Sequence, residues 1–500
     1  MAAIHPGTWL DDSLISASPH ANEYGIAERF QPTLMPQENK EVSSMTSSAV
    51  VSTSAALLNG SAHASTDLDE RRRVSTDRSG YVPPSLPDGV VYATSADDVV
   101  QAMQLAMAHN VPVVPRGAGT GLAAGASAKA GEVVLDLSRM NRIIHIDPVE
   151  QLAVVEPGVL NAEVNAAANA HGLFYAPDPA STAICSIGGN IATNAGGMWC
   201  AKYGVTRESV LALRVVLPDG RILRTGRETI KGVTGYDLNA LMIGSEGTLG
   251  VVVEATLRLR PRPIQTATVA AYFPDVDAAA LAASAIIAAR LQPSVLELMD
   301  GPTLEAVDAA HGTNHRSKGG AFLLAQTDGY GAFLEQDVLL KAIEPFASHI
   351  EKAVDTADAD ALVATRREAI PSLERIGRVS ICDIGVPRNK LSAVFAGLED
   401  ISRKTGVRIF NVAHAADGNL HPMIVVREDE SITDGPAKAA LGEMFYLAQR
   451  LGGTLTGEHG VGLLKRDWLK DELGDISLEL QRSIRRVFDP QGILNPGKAI

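Results

Sequence analysis

Residues 411–421 restrict the fold of this chain more than any other segment, because apolar residues flank an Asp-Gly pair at 417–418. Such a pair is typical of a two-residue β-hairpin turn, in which both central positions have positive φ. In that turn His414 and His421 lie directly opposite each other, with Cβ atoms about 5 Å apart on one face. Two imidazoles so placed would form a pair of metal ligands.

A second segment supplies further ligand-type side chains. Glu458 and His459 stand between Gly457 and Gly460 and offer a carboxylate and a third imidazole. Two imidazoles and a carboxylate suit zinc, iron, manganese or cobalt. A site of this kind could also activate water, so a metal-dependent hydrolase is the alternative enzyme class.

Composition excludes several classes of function. The chain has 500 residues, more than one core usually serves, and 44 basic against 58 acidic residues give a net charge of −14. This charge argues against nucleic acid as a partner. Three cysteines are too few for a disulfide framework. We found neither a transmembrane segment nor a secretory signal, so we expect a cytoplasmic protein and leave peripheral membrane contact open.

The chain divides into four predicted regions. Ser, Ala and Thr dominate the end of the first, which is expected to be a disordered tail. A mixed α+β block ends at a Pro-Arg-Pro boundary, and a second α+β block precedes a C-terminal helical segment. The regions are 1–66, 67–263, 264–470 and 471–500.

Periodicity predicts particular elements within these regions. Ser95 caps a helix over residues 96–109, and a strand is expected over residues 266–273. The last helix carries Ile476, Leu480, Ile484 and Phe488 on one stripe. This stripe predicts that the helix packs against another part of the structure.

Two glycine tracts indicate a bound ligand. Gly117, Gly119 and Gly121 follow a strand, where backbone N–H groups can converge on a diphosphate, although the spacing is not that of a Rossmann turn. Residues 185–197 contain four glycines and two asparagines, interleaved with isoleucines 187 and 191 that require burial. A backbone wrapped around a flat aromatic ligand explains both features of this tract.

Together these motifs resemble the FAD-linked oxidases of the vanillyl-alcohol-oxidase (PCMH-type) fold, over roughly residues 75 to 498. The hairpin, the Glu458-His459 pair and the terminal Asn495-Pro496-Gly497 are similar to the branch that oxidises D-2-hydroxy acids. That branch includes the glycolate oxidase FAD subunit, D-lactate dehydrogenase (cytochrome-type) and D-2-hydroxyglutarate dehydrogenase. Further motifs that carry the resemblance are Pro115 to Gly121, Ser186 to Asn190, Asn194 to Gly197, Lys202 to Gly204, and Gly244 to Gly250.

The resemblance implies an α+β fold in which a two-subdomain FAD-binding domain precedes an α+β substrate-binding cap, and the C-terminal helix returns to the FAD domain. Non-covalent FAD is expected, because Ala118 and Thr120 occupy the loop where relatives with covalent flavin often have a histidine. The implied cofactor-binding residues are Pro115, Arg116, Gly117, Ala118, Gly119, Thr120, Gly121, Ser186, Gly188, Gly189, Asn190, Asn194, Gly196, Gly197, Tyr203, Gly204 and Asn495.

The implied reaction is oxidation of a 2-hydroxy acid, with hydride transfer to the flavin and loss of the hydroxyl proton. His414, His421 and Glu458 would bind a divalent metal, most simply zinc, iron or manganese, and His459 would be the general base. Asn419 resembles a position that contacts substrate. Arg366 resembles an arginine that pairs with the substrate carboxylate, with Arg367 as the alternative.

One departure from the family's pattern narrows the choice of substrate. D-2-hydroxyglutarate dehydrogenases carry a lysine where this chain has Ile381, so a monocarboxylate such as D-lactate or glycolate is favoured and D-2-hydroxyglutarate is the alternative. A non-catalytic flavoprotein is a third hypothesis for the function of the chain. The electron acceptor is left open among a quinone, a cytochrome, an iron–sulfur subunit and an electron-transfer flavoprotein. Whether the chain forms a homodimer is also left open.

Overall fold

The computed structural model describes residues 47–229, 231–427 and 430–500, and side chains from residue 54 onward. Its α-helices, in chain order, are α1 Ser47–Gly60, α2 Leu68–Val74, α3 Ala96–His109, α4 Asn161–Asn169, α5 Ile187–Thr193, α6 Cys200–Tyr203, α7 Thr206–Ser209, α8 Leu238–Met242, α9 Val276–Ala288, α10 Gly301–His311, α11 Ala332–Ile343, α12 Thr356–Arg367, α13 Ala369–Glu374, α14 Leu391–Thr405, α15 Gly435–Arg450 and α16 Leu469–Phe488. Short 3₁₀ turns are His315–Ser317, Arg388–Lys390 and Arg466–Trp468.

Within the described residues, the strands belong to four sheets. In chain order they are β1 Ala64–Ser65, β2 Gly89–Tyr92, β3 Val113–Arg116, β4 Val133–Asp136, β5 Ile143–Asp147, β6 Leu152–Val155, β7 Leu173–Phe174, β8 Val210–Val216, β9 Ile222–Gly226, β10 Val251–Arg258, β11 Arg260–Pro261, β12 Thr266–Phe273, β13 Val295–Asp300, β14 Ala321–Asp328, β15 His349–Lys352, β16 Arg378–Ile381, β17 Ile384–Gly385, β18 Ile409–His414 and β19 Asn419–Val426.

The first sheet has the order β1-β2-β4-β3, with β2, β4 and β3 parallel. Helices α1 and α3 cover it, and the buried Leu57 of α1 belongs to the same core as Met103 of α3. The N-cap of α3 is Ser95, as predicted. The prediction of a disordered tail is wrong for residues 47–66, because α1 and β1 pack here. Residues 1–46 lie outside the described residues.

A second, antiparallel sheet has the order β5-β6-β10-β8-β9. The C-terminal segment returns to the first sheet beyond α16. The Asn495 amide donates to the Val113 carbonyl at 2.8 Å, and Leu494 forms a parallel bridge with Val113. Strand β3, which leads into the first glycine loop, therefore has the chain's end as its neighbour.

The largest sheet has the order β15-β12-β14-β13-β18-β19-β16, and β17 also pairs with β19. All its pairings are antiparallel. Residues of α9, α14 and α15 share one core with this sheet, and residues of α10, α12 and α13 share another. The hairpin β18–β19 thus lies in the sheet interior, so its side chains are held between covered faces.

The predicted register of that hairpin is wrong. His414 pairs with Asn419 and Val412 pairs with His421, so residues 415–418 form a four-residue connection. Gly418 has a φ of +84°, but Asp417 is not in the left-handed region, as a type I′ turn would require. The two histidines still share one face, as diagonal neighbours, with ring centroids 5.0 Å apart.

Helix α16 also departs from its prediction. Ile476, Leu480 and Ile484 are exposed, and of the stripe only Phe488 packs, against the core of the second sheet. None of the helices in the described part of the chain combines the length and the apolar composition of a membrane span.

Candidate active site

The first glycine loop follows β3 and is held by its own arginine. The buried Arg116 side chain folds back and donates to the carbonyl oxygen of Thr76 at 2.9 Å. A Cβ at Gly119, where φ is +70°, would lie 2.0 Å from the Arg116 guanidinium. At Gly117 it would lie 2.4 Å from the Ser186 hydroxyl. Both positions therefore require glycine, and the loop presents bare backbone.

The second glycine tract forms α5 and lies against that loop. The Ser186 hydroxyl accepts hydrogen bonds from the amides of Ala118 at 3.2 Å and Gly189 at 3.3 Å. Ile187 and Ile191 are fully buried, as their place in the tract predicted. The two tracts thus form one continuous backbone surface.

That surface lines a cavity of about 800 Å³, toward the upper end of the roughly 300–1,000 Å³ usual for ligand sites. Two buried side-chain atoms in its wall, Nδ2 of Asn190 and Oδ1 of Asn495, have no hydrogen-bond partner among the described residues. The predicted cofactor-binding residues that line it are Pro115, Arg116, Gly117, Ala118, Gly119, Thr120, Gly121, Gly188, Gly189, Asn190, Gly197 and Asn495. Bare backbone and unpartnered amide groups fit a large polar cofactor such as FAD.

Five predicted cofactor residues do not line this cavity. Ser186 joins the two tracts, Asn194 caps the end of α5, and Gly204 follows α6. The Tyr203 hydroxyl donates to Oδ2 of Asp328 at 2.7 Å, which ties α6 to the end of β14. Gly196 packs against Glu458, where a Cβ would lie 2.3 Å from the carboxylate.

The far end of the same cavity carries the hairpin histidines. Oε1 of Glu458 lies 2.9 Å from Nε2 of His421 and 3.4 Å from Nε2 of His414. Nε2 of His459 lies 3.9 Å from the same oxygen, and the His459 ring stacks on His421 with centroids 4.9 Å apart. The structure therefore brings together the four residues that the sequence singled out for a metal and a base.

The electrostatics of this cluster favour a cation. Burial acts to lower the pKa of His414, but the carboxylates of Glu297 and Glu458 raise it well above its ordinary value. The two histidines likewise hold the pKa of Glu458 well below its ordinary value, against the effect of burial. One ligand atom from each of His414, His421 and Glu458 lies within 4.8 Å of the others, so these residues could hold a metal ion.

Comparison with known proteins decides the family. A sequence model described as "FAD binding domain" matches residues 87–226, and one described as "FAD linked oxidases, C-terminal domain" matches residues 262–499. The glycolate oxidase subunit GlcD of Bacillus subtilis (strain 168) is 39% identical over 420 residues, which cover 83% of this chain and 89% of that protein. The chain belongs to the FAD-linked oxidases.

Other similar proteins agree with this assignment. A D-lactate dehydrogenase of Anaerostipes hadrus is 33% identical to this FAD-linked oxidase over 424 residues, covering 82% of this chain and 89% of that one. A structure of p-cresol methylhydroxylase with substrate bound has a TM-score of 0.73 at 18% identity, covering 90% of this chain and 96% of that one. The predicted PCMH-type α+β fold and the FAD-dependent oxidoreductase class are confirmed.

No sequence motif indicated one supporting residue, Glu297 on β13. Its Oε1 lies 2.5 Å from Nδ1 of His414, and its Oε2 lies 2.8 Å from Nη2 of Arg366. Glu297 is fully buried and pairs across the sheet with His414. Metal-binding histidines almost always donate their other ring N–H to a carboxylate, a backbone carbonyl or water. Glu297 therefore orients both a candidate metal ligand and a candidate carboxylate-binding arginine.

A second unforeseen residue, Asp383, fixes the loop that carries Glu458 and His459. Its Oδ2 accepts hydrogen bonds from the backbone amides of residues 457–459 at 2.9, 3.1 and 2.9 Å, and from the Thr456 hydroxyl at 2.6 Å. The buried Lys465 ammonium lies 3.2 Å away. Burial acts to raise the pKa of Asp383, but Lys465 and the neighbouring histidines hold it well below its ordinary value.

We expect Asp383→Asn to lower the free energy of unfolding by about 3–5 kcal/mol, because it leaves Lys465 charged, buried and unpaired. If the cluster holds a divalent metal, the metal content should fall as well, since the loop loses its anchor. Urea unfolding and metal analysis measure these effects. The double variant Asp383→Asn/Lys465→Met should recover much of the stability, because both charges are gone. Equal stability of the Asp383→Asn variant and the native protein would contradict the prediction.

Asn419 does not line the large cavity. It lines a second cavity of about 490 Å³, which shares His414 and Glu458 with the first. The Asn419 side chain packs against Gly457, where a Cβ would lie 2.3 Å from the Asn419 amide oxygen. The structure thus places Asn419 in a second cavity beside the cluster, together with Gly196 and Gly197 of the second glycine tract.

Proposed function

We propose that this FAD-linked oxidase oxidises a 2-hydroxy monocarboxylate, D-lactate or glycolate, to the corresponding 2-oxo acid. One observation carries the proposal: the largely buried cluster of His414, His421 and Glu458, together with His459, lines the same cavity as both glycine tracts. A cofactor on the glycine backbone and a substrate at the cluster would share one enclosed space. The names of the relatives, a glycolate oxidase subunit and a D-lactate dehydrogenase, support the substrate class.

The glycine loop 117–121 and the tract 188–197 would hold FAD without a covalent bond. When bound, FAD supplies the acceptor for the hydride that leaves C2 of the substrate. Ala118 and Thr120 offer no ring nitrogen for attachment. The Asn495 side chain is aimed by its own hydrogen bonds, because Nδ2 donates to the carbonyl oxygens of Gly125 at 3.0 Å and Glu246 at 2.7 Å. Its free Oδ1 is left for the cofactor.

His414, His421 and Glu458 would hold a divalent cation. Such a cation supplies positive charge beside the substrate hydroxyl and lowers its pKa. Glu297 keeps Nδ1 of His414 occupied, which leaves Nε2 for the cation. The Nε2 atoms of the two histidines already lie beside one oxygen of Glu458, so the three ligand groups are gathered in one place.

His459 would take the hydroxyl proton. Burial lowers the pKa of His459 to about 4, so the ring is neutral near pH 7 and can accept a proton. The backbone amide of His459 is tied to Asp383, and its ring is stacked on His421. As the proton moves to His459, the C2 hydride leaves and the C2–O single bond becomes the carbonyl of the 2-oxo acid.

Arg366 is the candidate for binding the substrate carboxylate. Both Arg366 and Arg367 line the large cavity. Glu297 fixes Nη2 of Arg366, while Nε of Arg366 is buried without a hydrogen-bond partner among the described residues. A carboxylate at that edge would satisfy this donor, and burial strengthens such a charge-assisted hydrogen bond. Arg367 is exposed and lacks this preorganisation.

The cavity wall near these residues is apolar. Ile381 and Val379 of β16 line it together with Ile370 and Val412. A second substrate carboxylate placed against these side chains would be desolvated without a partner. The wall therefore favours substrates with a short apolar or absent side group.

We expect Ile381→Lys to shift the preference toward D-2-hydroxyglutarate. An ammonium at this position would pair with a distal carboxylate, so the ratio of kcat/KM for D-2-hydroxyglutarate to that for D-lactate should rise about tenfold or more. Steady-state kinetics on both acids measure the ratio. Ile381→Met, which has similar length and no charge, is the matched control and should leave the ratio low. An unchanged ratio in Ile381→Lys would show that the wall does not select the substrate.

Turnover with an artificial dye as electron acceptor tests the proposed function. D-lactate or glycolate should reduce the dye and yield one 2-oxo acid per two electrons. Membership of the FAD-linked oxidases argues against the metal-dependent hydrolase that the sequence left open. Failure of every 2-hydroxy acid to reduce the dye would contradict our proposal.

A further inference from the structure

The second cavity, of about 490 Å³, reaches two of the candidate metal ligands by an opening of its own. It shares only Gly197, His414 and Glu458 with the large cavity. Asp417 and Gly452 line it and are exposed, so they lie at its outer end. His414 is buried and lies at its inner end. The second cavity therefore connects the protein surface with the cluster.

The charges around this cavity attract cations. Asp417 contributes a carboxylate at the outer end and Glu458 contributes one at the inner end. Among the described residues that line the cavity, none is a lysine or an arginine. Behind the inner end, Oε1 of Glu297 lies 2.5 Å from Nδ1 of His414, so two carboxylates flank this imidazole. A cleft lined by charges of one sign concentrates ions of the opposite sign.

Asn419 adds an oxygen acceptor to the same wall. Its Oδ1 is buried and has no hydrogen-bond partner among the described residues. Its backbone amide donates to Oδ1 of Asp417 at 3.1 Å, and it pairs with His414 across the hairpin. Asn419 thus neighbours both the outer carboxylate and an inner ligand. Carboxylate and amide carbonyl oxygens bind divalent cations such as Mn²⁺.

The large cavity differs in its charges. Arginines 78, 116, 366 and 367 lie in its wall beside several carboxylates. Both molecules proposed to occupy it, FAD and a hydroxy acid, are anions. A divalent cation that entered through the large cavity would pass guanidinium groups and, once FAD is bound, the cofactor as well. The second cavity presents neither obstacle.

We propose that the divalent cation reaches His414, His421 and Glu458 through the second cavity, and that Asp417 is the group that first attracts it. This inference rests on the metal site proposed above. Electrostatic focusing by a cleft of one sign raises association rates by about 10–10³-fold. The cation and the anionic substrate thus reach the cluster by different openings. The metal can therefore be removed and restored while FAD stays bound.

The rate of Zn²⁺ uptake tests this route in the full-length, FAD-loaded protein after a chelator has removed its metal. Stopped-flow mixing with Zn²⁺ and a fluorescent zinc indicator gives the rate. Asp417→Asn keeps an acceptor for the Asn419 amide but removes the charge, so uptake should slow at least about threefold. Asp417→Lys should slow it at least about tenfold. Asp337→Lys, the same reversal on the exposed surface of α11, is the matched control and should take up Zn²⁺ at the native rate.

A second variant changes the space instead of the charge. Val205 lines the second cavity and is half-buried, so the larger ring of Val205→Phe should narrow the cavity and slow uptake. High salt should shrink the effect of Asp417→Lys, because salt screens exposed charges, but not that of Val205→Phe. The Zn²⁺ content of Asp417→Asn after long incubation should equal the native content, because the ligands are intact. The flavin spectrum shows that each variant is folded.

The outcomes separate the route from the metal site. Slower uptake by Asp417→Lys and by Val205→Phe, with native uptake by Asp337→Lys, supports the route. Native uptake by either of the first two variants overturns it and leaves the metal site in place. Slower flavin bleaching by metal-loaded Val205→Phe with native uptake would show that the second cavity carries substrate instead. If the native protein binds no Zn²⁺ even after long incubation, the metal site itself is contradicted and the route with it.

Discussion

His459→Ala should reduce its flavin at least about 10²-fold more slowly with D-lactate or glycolate than the native protein, because general-base catalysis typically contributes about 10²–10⁴-fold. The hydroxyl proton would have no acceptor in the buried cavity. FAD should be retained, since the glycine tracts that would hold it are unchanged. Anaerobic stopped-flow measurement of flavin bleaching gives the rate.

The control for this variant is His171→Ala, which removes an exposed histidine outside the cavity. It should bleach at the native rate. If His459→Ala also bleaches at the native rate, His459 is not the base. The metal content of the His459→Ala variant should stay close to native, because the proposed ligands are intact.

The pKa of His459 also predicts how the rate of flavin bleaching depends on pH. The base is active when neutral, and burial lowers the pKa of His459 to about 4. The rate should therefore fall only as pH drops through about 4, and not near 6.5, the ordinary value for histidine. Bleaching rates between pH 3 and pH 8 would show the position of this limb.

Loss of the proposed metal ion has the second large expected effect, a slower reduction of the flavin. His421→Ala deletes a ligand from the centre of the cluster, where Nε2 lies 2.9 Å from Oε1 of Glu458. A cation that stabilises developing charge by several kcal/mol accounts for at least about 10²-fold in rate. Flavin bleaching in the variant should slow by at least that factor, and metal analysis should show loss of the ion.

Chelation distinguishes the effect of losing the metal from the effect of losing the His421 side chain. Native protein stripped by a chelator should lose the same activity and regain it when zinc, manganese or iron is added, whereas His421→Ala should not respond. His349→Ala, an exposed histidine on β15, serves as the matched control. Native bleaching by demonstrably metal-free protein would contradict the metal proposal.

The hairpin shows how much of the structure can be predicted from local sequence. The apolar runs and the Asp-Gly pair correctly predicted two antiparallel strands with both histidines on one face. The pair did not determine loop length, because Gly418 alone takes the left-handed conformation and the amides of Asp417 and Gly418 both donate to the His414 carbonyl. The resulting register places the histidines diagonally, and only the packed sheet specifies it.

The residues that support the site had no local signal. Glu297 precedes His414 by 117 residues, and Asp383 precedes His459 by 76. Neither stands in a glycine-rich or histidine-containing motif. Glu297 and Asp383 support the site only because β13 pairs with β18 and because the loop 456–459 folds over the end of β16. Long-range pairing of this kind cannot be inferred from spacing along the chain.

Helix α1 was missed for a different reason. Ser, Ala and Thr dominate its sequence, so no clear apolar stripe indicates a helix. Leu57 becomes buried when α1 packs on α3, and the Cβ that Gly60 lacks would lie 2.7 Å from Leu105. Tertiary packing, not intrinsic propensity, supplies most of the stability of such a helix.

Anaerobic reduction of the bound flavin by a panel of hydroxy acids tests the central claim most directly. The protein should purify yellow, and either D-lactate or glycolate should bleach it, while L-lactate and D-2-hydroxyglutarate should do so much more slowly. Dithionite serves as the control that the flavin is accessible and reducible. Full bleaching by dithionite with no bleaching by any 2-hydroxy acid, in protein with a filled metal site, would contradict the account.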